Sequence, residues 1–194
     1  MTSETVVSKG PRDLGCQAHV VTIDEMYHMP RDGQKYELIG GEVKVSPAGM
    51  NHELIGGELY FLLRLYLQKH KIGRLFTSSV GFLLPNGDLV SPDVSFVRTE
   101  RLPDGKVPDT FGNMAPDLAV EIVSPFDRLT EVEDKAELYL SNGTLLVWVI
   151  TPRTRRATVY RSGQQSRVLQ PTDALDGEDV LPGFSCIVNA LFDT

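Results

Sequence analysis

A single carboxylate interrupts an otherwise apolar run near the middle of the chain. Glu121 lies within the segment PDLAVEIVS, which covers residues 116–124. Because side chains alternate along a strand, Glu121 shares one face with Ala119 and Val123, while the opposite face is wholly apolar. An unpaired carboxylate in such surroundings is costly, so we expect Glu121 to be ion-paired, bound to a metal or neutralised.

A second acid occupies a comparable place in the preceding β-prone segment, SPDVSFVR at 91–98. The same alternation separates Asp93 and Ser95 from the apolar side chains of this strand. Because Asp93 directly follows a proline, it also fits the simpler interpretation of a turn acid. Two neighbouring strands therefore each offer one candidate acid.

The segment that follows Glu121 has helical periodicity and carries a lysine beside its apolar stripe. The stripe consists of Val132, Ala136, Tyr139 and Leu140, and acids supply the solvated face. Lys135 lies at the edge of this stripe. Its stem can therefore lie along apolar surface while its ammonium group points back toward the preceding strand.

Two carboxylates and one ammonium group converging on a strand edge suit metal-dependent hydrolysis of a phosphodiester. Mg²⁺ prefers oxygen ligands and typically takes one or two carboxylates, several waters and a substrate phosphate. The metal would neutralise charge developing on the phosphate, and the lysine would orient the attacking water. From spacing alone, a buried ion pair between Glu121 and Lys135 is the simpler interpretation, so the residues leave both open.

The elements that must position these groups follow the order α, β, β, β, α, β. The predicted helices cover 51–70 and 127–140, and the predicted strands lie within 74–85, 91–98, 117–124 and 144–151. A short helix capped by Thr22 and a β-hairpin turning at Gly40-Gly41 are predicted before them. This order indicates an α/β (α+β layered) domain with a mixed sheet.

The long predicted helix has Asn51 as its expected N-cap and contains the pair Gly56-Gly57. Each glycine should cost about 1 kcal/mol relative to alanine. Close packing of another backbone would make this cost tolerable.

Bulk composition limits the class of protein. The chain has 194 residues, of which 41% are hydrophobic and 23% charged, as in an ordinary globular protein. We predict a flexible N-terminal segment over 1–20 and a single domain over 21–194. No apolar run could span a bilayer and no secretory signal is recognisable, so we expect a cytoplasmic protein without membrane association. Cys16 and Cys186 are too few for a disulfide framework and form no CxxC pair.

The net charge of -7 argues against an unaided nucleic-acid coat protein, because phosphates are bound by Lys and Arg. An enzyme with a local basic patch remains compatible with this charge. The candidate patch is TPRTRR at 151–156, with Arg161 and Arg167 following it. A solvated turn between two strands is its simpler interpretation.

In order and spacing, several fragments resemble the Uma-two family of restriction endonucleases, a branch of the PD-(D/E)xK nuclease superfamily. The fragments are YELIGGEV, SPDVSFV, PDLAVEIVSP and LPGF, together with His52, Lys135, Tyr139 and Trp148. They extend from about Tyr36 to Phe192. The resemblance implies a restriction-endonuclease-like αβββαβ core with an N-terminal β-hairpin and C-terminal strands.

The resemblance also implies roles for individual residues. Asp93 and Glu121 would bind the metal, Mg²⁺ or alternatively Mn²⁺, with the carbonyl of Ile122 as a further ligand. The superfamily places its lysine two residues after the glutamate, and this chain has Val123 there. The lysine is therefore expected on the following helix, as Lys135.

Two further residues follow from the resemblance with alternatives open. Glu37 matches an additional acid of the family and equally fits an exposed strand glutamate. His52 is placed either to approach a phosphate or simply near the N-terminus of the long helix. The expected catalytic set is therefore Asp93, Glu121, Lys135 and Glu37.

The leading hypothesis is a Mg²⁺-dependent DNA endonuclease that acts as a homodimer, because each core would cut one strand. A nuclease-like module that has lost catalysis and binds DNA or protein is the alternative, motivated by the acidic net charge and the missing in-strand lysine. A third hypothesis is a hydrolase that uses paired acids without metal, as glycosidases do.

Overall fold

A six-stranded mixed sheet forms the centre of the protein, with one long helix on each face. The computed structural model describes residues 21–30, 34–46, 49–125 and 127–193. The segment predicted to be flexible, 1–20, lies outside the described residues together with Cys16. None of the described helices is long and apolar enough to cross a membrane.

The elements before the centre of the chain form a helix, a hairpin and the first strands. They are α1 (Ile23–Tyr27), β1 (Lys35–Ile39), β2 (Glu42–Ser46), α2 (Met50–Lys69), β3 (Gly73–Thr77), β4 (Phe82–Leu83), β5 (Leu89–Val90) and β6 (Val94–Arg98). Thr22 caps α1 in a capping box with Glu25, as predicted. Gly40 and Gly41 both have positive φ angles in the β1–β2 turn, as expected for the predicted hairpin.

The second half of the chain contributes the other strands and the second long helix. These are β7 (Leu118–Ile122), α3 (Leu129–Ser141), β8 (Leu146–Thr151), β9 (Arg156–Arg161), β10 (Arg167–Leu169), β11 (Ala174–Asp176) and β12 (Ser185–Ile187). Short 3₁₀ turns cover Thr99–Arg101, Pro103–Gly105, Pro152–Thr154 and Val188–Phe192.

The central sheet has the strand order β10-β9-β8-β7-β6-β3. Its β7–β8 pair is parallel and its other pairs are antiparallel, so the predicted mixed sheet and αβββαβ order are confirmed. A four-stranded sheet, β2-β1-β5-β4, contains the hairpin, and β11 pairs with β12 separately.

The two faces of β7 divide as the alternation predicts. Leu118, Val120 and Ile122 pack in the cluster that contains the inner residues of α2, which are Ile55, Leu59, Leu63 and Leu67. Ala119 packs on the other face, with the α3 stripe of Val132, Ala136 and Tyr139. Every residue of β7 is buried, Glu121 included.

Two local predictions are wrong. The segment 74–85 is not one strand, because β3 ends at Thr77 and the chain turns before β4 joins the other sheet. A side chain at Gly81 would lie 2.9 Å from Phe111, so this turn packs too tightly for anything larger than glycine. Helix α2 begins one residue earlier than expected, with Gly49 as its N-cap and no side-chain capping hydrogen bond, which places Asn51 inside the first turn.

Candidate active site

The β1–β2 hairpin brings two charged residues to the end of the central sheet where β6 begins and β7 ends. Lys35 and Glu37 share one face of β1, while Tyr36 and Leu38 pack on the other face with Met26 and Leu89. β1 pairs with β5 at Leu38 and Leu89, which sets the hairpin beside the chain entering β6. The amide of Ser91 consequently donates a 2.7 Å hydrogen bond to Glu37 Oε1.

Asp93, immediately before β6, is held by three donors. Lys35 Nζ lies 3.0 Å from Asp93 Oδ1, and His52 Nε2 from the first turn of α2 lies 2.9 Å from Oδ2. The backbone amide of Ile122, at the end of β7, donates to the same Oδ2 at 2.8 Å. Asp93 therefore joins the hairpin, α2 and β7 at one point.

Glu121 projects from the α3 side of the sheet and meets that helix. Lys135 Nζ lies 3.0 Å from the Glu121 carboxylate, and Tyr139 donates its hydroxyl to Glu121 Oε1 at 2.6 Å. Because Lys135 and Tyr139 are four residues apart, they occupy the same face of α3 and contact the same carboxylate.

Lys135 contacts two acids, Glu37 and Glu121, that belong to different sheets. Its Nζ lies 2.9 Å from Glu37 Oε2 as well as 3.0 Å from Glu121. The four residues predicted to be catalytic thus lie in one cluster, which also contains Lys35 and His52. This cluster, of Lys35, Glu37, His52, Asp93, Glu121 and Lys135, is called the charged cluster below.

Burial and charge act in opposite directions on the acids of the charged cluster. Burial would raise the pKa of Asp93, but the hydrogen bond from His52 and the charge of Lys35 outweigh it and hold that pKa well below its usual value. The pKa of Glu37 is likewise lowered, because Lys135 and Lys35 outweigh its burial. For Glu121, burial outweighs the attraction of Lys135, and the pKa of its carboxyl is raised.

These carboxylates also raise the pKa values of the basic groups in the charged cluster. Burial would lower the pKa of Lys135, but the carboxylates of Glu121 and Glu37 raise it, so the ammonium group stays charged. Lys35 follows the same pattern, with Glu121 as the largest opposing charge. The pKa of His52 is raised, because its hydrogen bond to Asp93 outweighs its burial.

A cavity of about 720 Å³ opens onto the charged cluster. It lies between the hairpin, the N-terminal turn of α2 and the first half of α3, and Ile122 and Val123 also line it. Seven of its lining residues are acidic, against three lysines and one histidine. The cavity therefore attracts cations and disfavours a bare phosphate.

The donor chemistry of this cavity suits Mg²⁺, which prefers hard carboxylate oxygens. Asp93 and Glu121 both line it, from adjacent strands. In the structure, however, their oxygens already accept hydrogen bonds from Lys35, His52, Lys135 and Tyr139. Among the described ranges no group of three or more His, Cys, Asp or Glu side chains is arranged to hold a metal. A cation would thus have to replace some of these donors.

Sequence reasoning did not find every member of the charged cluster. Lys35 was missed, although its position two residues before Glu37 in a strand places both on one face. The contact of His52 with Asp93 was not predicted either, only its position near the helix start. Val123, in the superfamily's usual lysine position, is partly buried against the core on the α3 side.

Three of the five arginines in the candidate basic patch form ion pairs with acids of the protein's own surface. Arg161 contacts Glu178 and Asp179, Arg167 contacts Glu178, and Arg155 contacts Asp193. These arginines are therefore poorly placed to serve as a free phosphate-binding surface. The interpretation as a turn between two strands fits better.

Comparison with known proteins identifies the family and the fold. Residues 23–190 match the family model of Uma2, described as "Putative restriction endonuclease". The fold is similar to the crystal structure of a protein described as a putative nuclease belonging to DUF820 from Anabaena variabilis, with a TM-score of 0.79 and 25% identity over 89% of this chain and 97% of that chain. A DrdV–DNA complex is a distant match, with a TM-score of 0.33 and 14% identity over 61% of this chain and 12% of that chain. No curated protein matches the chain significantly. Since the family model covers most of the sequence, the chain belongs to the Uma2 family of restriction endonuclease-like proteins.

Proposed function

We propose that this protein is a divalent-metal-dependent DNA endonuclease that hydrolyses phosphodiester bonds at the charged cluster. The observation that carries the proposal is the meeting of Asp93, Glu121 and Lys135 in one cavity of a nuclease-family chain. We expect it to act in the cytoplasm and as a homodimer, because one core is suited to cut one strand of a duplex.

Asp93 and Glu121 would hold the ion, Mg²⁺ or Mn²⁺, with the Ile122 carbonyl as a further ligand. When bound, a divalent cation supplies Lewis acidity at the scissile phosphate. The acid-rich lining of the cavity supports this dependence, since a phosphodiester would otherwise approach seven acidic side chains.

Lys135 would orient the attacking water and stabilise negative charge that develops on the phosphate. Its raised pKa keeps the ammonium group charged at neutral pH. Glu37 acts as a positioning residue, because it holds Lys135 from the side opposite Glu121. Lys35 and His52 orient Asp93 in the same way.

The test is nicking of supercoiled plasmid DNA by the purified protein in Mg²⁺ or Mn²⁺, with excess chelator as the blank. Asp93→Asn and Glu121→Gln should each abolish nicking. Glu131→Gln is the matched control, because Glu131 lines the same cavity without belonging to the charged cluster, and it should retain activity. Metal-dependent cutting that persists in both cluster variants would place the chemistry elsewhere.

One observation favours a second candidate, a nuclease-like module without catalysis. The carboxylates of the charged cluster are all engaged by protein donors, which is also how a purely structural ion-pair network looks. Calorimetric titration of Mg²⁺ and Mn²⁺ separates the two. Binding that is lost in Asp93→Asn supports the nuclease, whereas no binding at millimolar metal favours the inactive module.

A further inference from the structure

An exposed apolar stripe runs along the outer face of α2, away from the central sheet. Its large side chains are Met50, Leu54, Phe61 and Leu65, which are 88%, 55%, 54% and 42% exposed. Their spacing of four and seven residues places them on one face of the helix. The inner face of α2 is fully occupied by the core, so this stripe is a second apolar face without a partner among the described residues.

Gly57 lies in the middle of this stripe and is exposed. A side chain at Gly57 would meet nothing within 4 Å, whereas one at Gly56 would lie 3.3 Å from the side chain of Ile122. Packing on β7 therefore accounts for Gly56 but not for Gly57. A glycine inside a helix costs about 1 kcal/mol relative to alanine, and a helix that crosses closely at this point would offset the cost.

Charges at one edge of the stripe complement each other in an antiparallel arrangement. Glu53 and Arg64 are eleven residues apart, about three helical turns, so they lie on the same edge. Both are exposed. Glu53 lies 3.8 Å from His52 Nδ1 of its own helix, and Arg64 forms no ion pair within the described part of the chain. In a two-fold symmetric pair of antiparallel helices the same edges face each other, so Glu53 would lie opposite the partner's Arg64.

In that register Phe61 falls close to the partner's Gly57, where the missing side chain leaves room for its ring. Three independent features thus agree on one arrangement: the apolar stripe, the exposed glycine and the charge order. We propose that two copies of this chain associate through this surface, with α2 packing antiparallel against the partner's α2. The choice of a second copy rests on the proposed homodimer, while the surface itself is argued without reference to catalysis.

The predicted dimer is of modest affinity. A single pair of helices buries less than the roughly 1,600 Å² of a standard stable interface, so we expect a dissociation constant in the micromolar range. His52, on the inner side of the first turn of α2, marks the position of each charged cluster. Antiparallel packing would separate the two His52 residues by about 20 Å along the helix axis.

Sedimentation velocity of the full chain between about 1 and 100 µM tests the proposal, since this range brackets a micromolar dissociation constant. The wild-type mass should rise toward that of a dimer. Phe61→Glu should raise the dissociation constant about tenfold or more, because it puts charge at the centre of the contact. Val168→Glu is the matched control, since Val168 is 53% exposed on β10 and away from α2, and it should leave association unchanged.

The register is tested by charge reversal. Arg64→Glu and Glu53→Arg should each weaken association, and combining them in one chain should restore most of it. Circular dichroism melting of each variant verifies that the fold is retained. A protein that stays monomeric throughout the range, or dimers unaffected by Phe61→Glu, would overturn the proposed surface.

The dimer and the nuclease proposals fail separately. Metal-dependent nicking by a strictly monomeric protein would contradict the dimer proposal and leave the active-site proposal standing. A dimer that is weakened by Phe61→Glu but shows no nicking activity would support the proposed surface and contradict the nuclease proposal.

Discussion

This protein has two clusters in which acidic and basic side chains form ion pairs, and they differ mainly in their access to water. In the charged cluster, the side chains of Lys135, Glu121 and Glu37 are 16%, 11% and 5% exposed. In the second cluster, Arg161 contacts Glu178 and Asp179 near the surface, and the side chain of Asp179 is 64% exposed. The first desolvates several charges in the core, whereas the second keeps much of its hydration.

This difference teaches where function is to be sought. Exposed ion pairs contribute little to stability, typically below about 1 kcal/mol, and here they tie β9 and β10 to the chain after β11. Buried ion pairs are costly, and apolar replacements are often as stable. Stability alone therefore does not account for six ionisable groups held together beside an open cavity, and such an arrangement is typical of an active site.

The largest effect should come from removing the cation that the buried acids share. Lys135→Met leaves Glu37 and Glu121 without their common partner, which should cost about 3 kcal/mol of unfolding free energy. Nicking should fall about 10²-fold or more, because the charge that stabilises the phosphate is lost. Urea unfolding and the plasmid assay measure the two effects. An unfolding free energy within about 1 kcal/mol of wild type would show that the two clusters are energetically alike.

An intermediate effect is expected in how the unfolding free energy falls at acidic pH. The pKa of Asp93 is lowered from its ordinary 3.8, so its ionised form stabilises the fold above that pH, and this stability is lost as pH falls through the folded-state value. Urea unfolding of metal-free protein should therefore show a shallower decline below about pH 4 in Asp93→Asn than in wild type. The pKa of Asp179 is also lowered, by Arg161. Because Asp179 is exposed, Asp179→Asn should change the slope less, and added salt should remove that change. Equal slopes for both variants would contradict the distinction.

The smallest effect should come from the exposed cluster. Arg161→Met should lower the unfolding free energy by less than about 1 kcal/mol, because Glu178 and Asp179 can return to water. Nicking should be unchanged, since Arg161 does not line the cavity of the charged cluster. The same two measurements applied to Lys135→Met provide the comparison. A loss of activity in Arg161→Met would instead support the hypothesis that the candidate basic patch contacts DNA.

The part of this site that follows from local periodicity could be predicted from sequence. Strand alternation separated Glu121 from the wholly apolar face of its strand, and helical spacing placed Lys135 at the edge of the buried stripe with its ammonium group directed back toward that strand. These two contacts need only neighbouring elements, so the pairing of Lys135 with Glu121 was available from the pattern, though not its catalytic meaning.

The remaining contacts depend on long-range pairing that no local pattern encodes. Lys35 reaches Asp93 only because β1 pairs with β5, and this pairing joins Leu38 to Leu89, which lie far apart in sequence. The role of Glu37 came from family resemblance, since its residue type alone fitted an exposed strand equally well. The break after β3 was missed for a similar reason, because the contact of Gly81 with Phe111 is tertiary.

Lys135 contacts Glu37 from the four-stranded sheet and Glu121 from the six-stranded sheet. The arrangement around its ammonium group therefore exists only while both sheets are docked. A chain whose hairpin has opened retains Glu121 but has neither Glu37 nor Lys35 in place. Partly folded molecules, during synthesis or after damage, would therefore have Glu121 in place without Glu37 and Lys35. Under the proposed function, such molecules would leave nearby DNA intact.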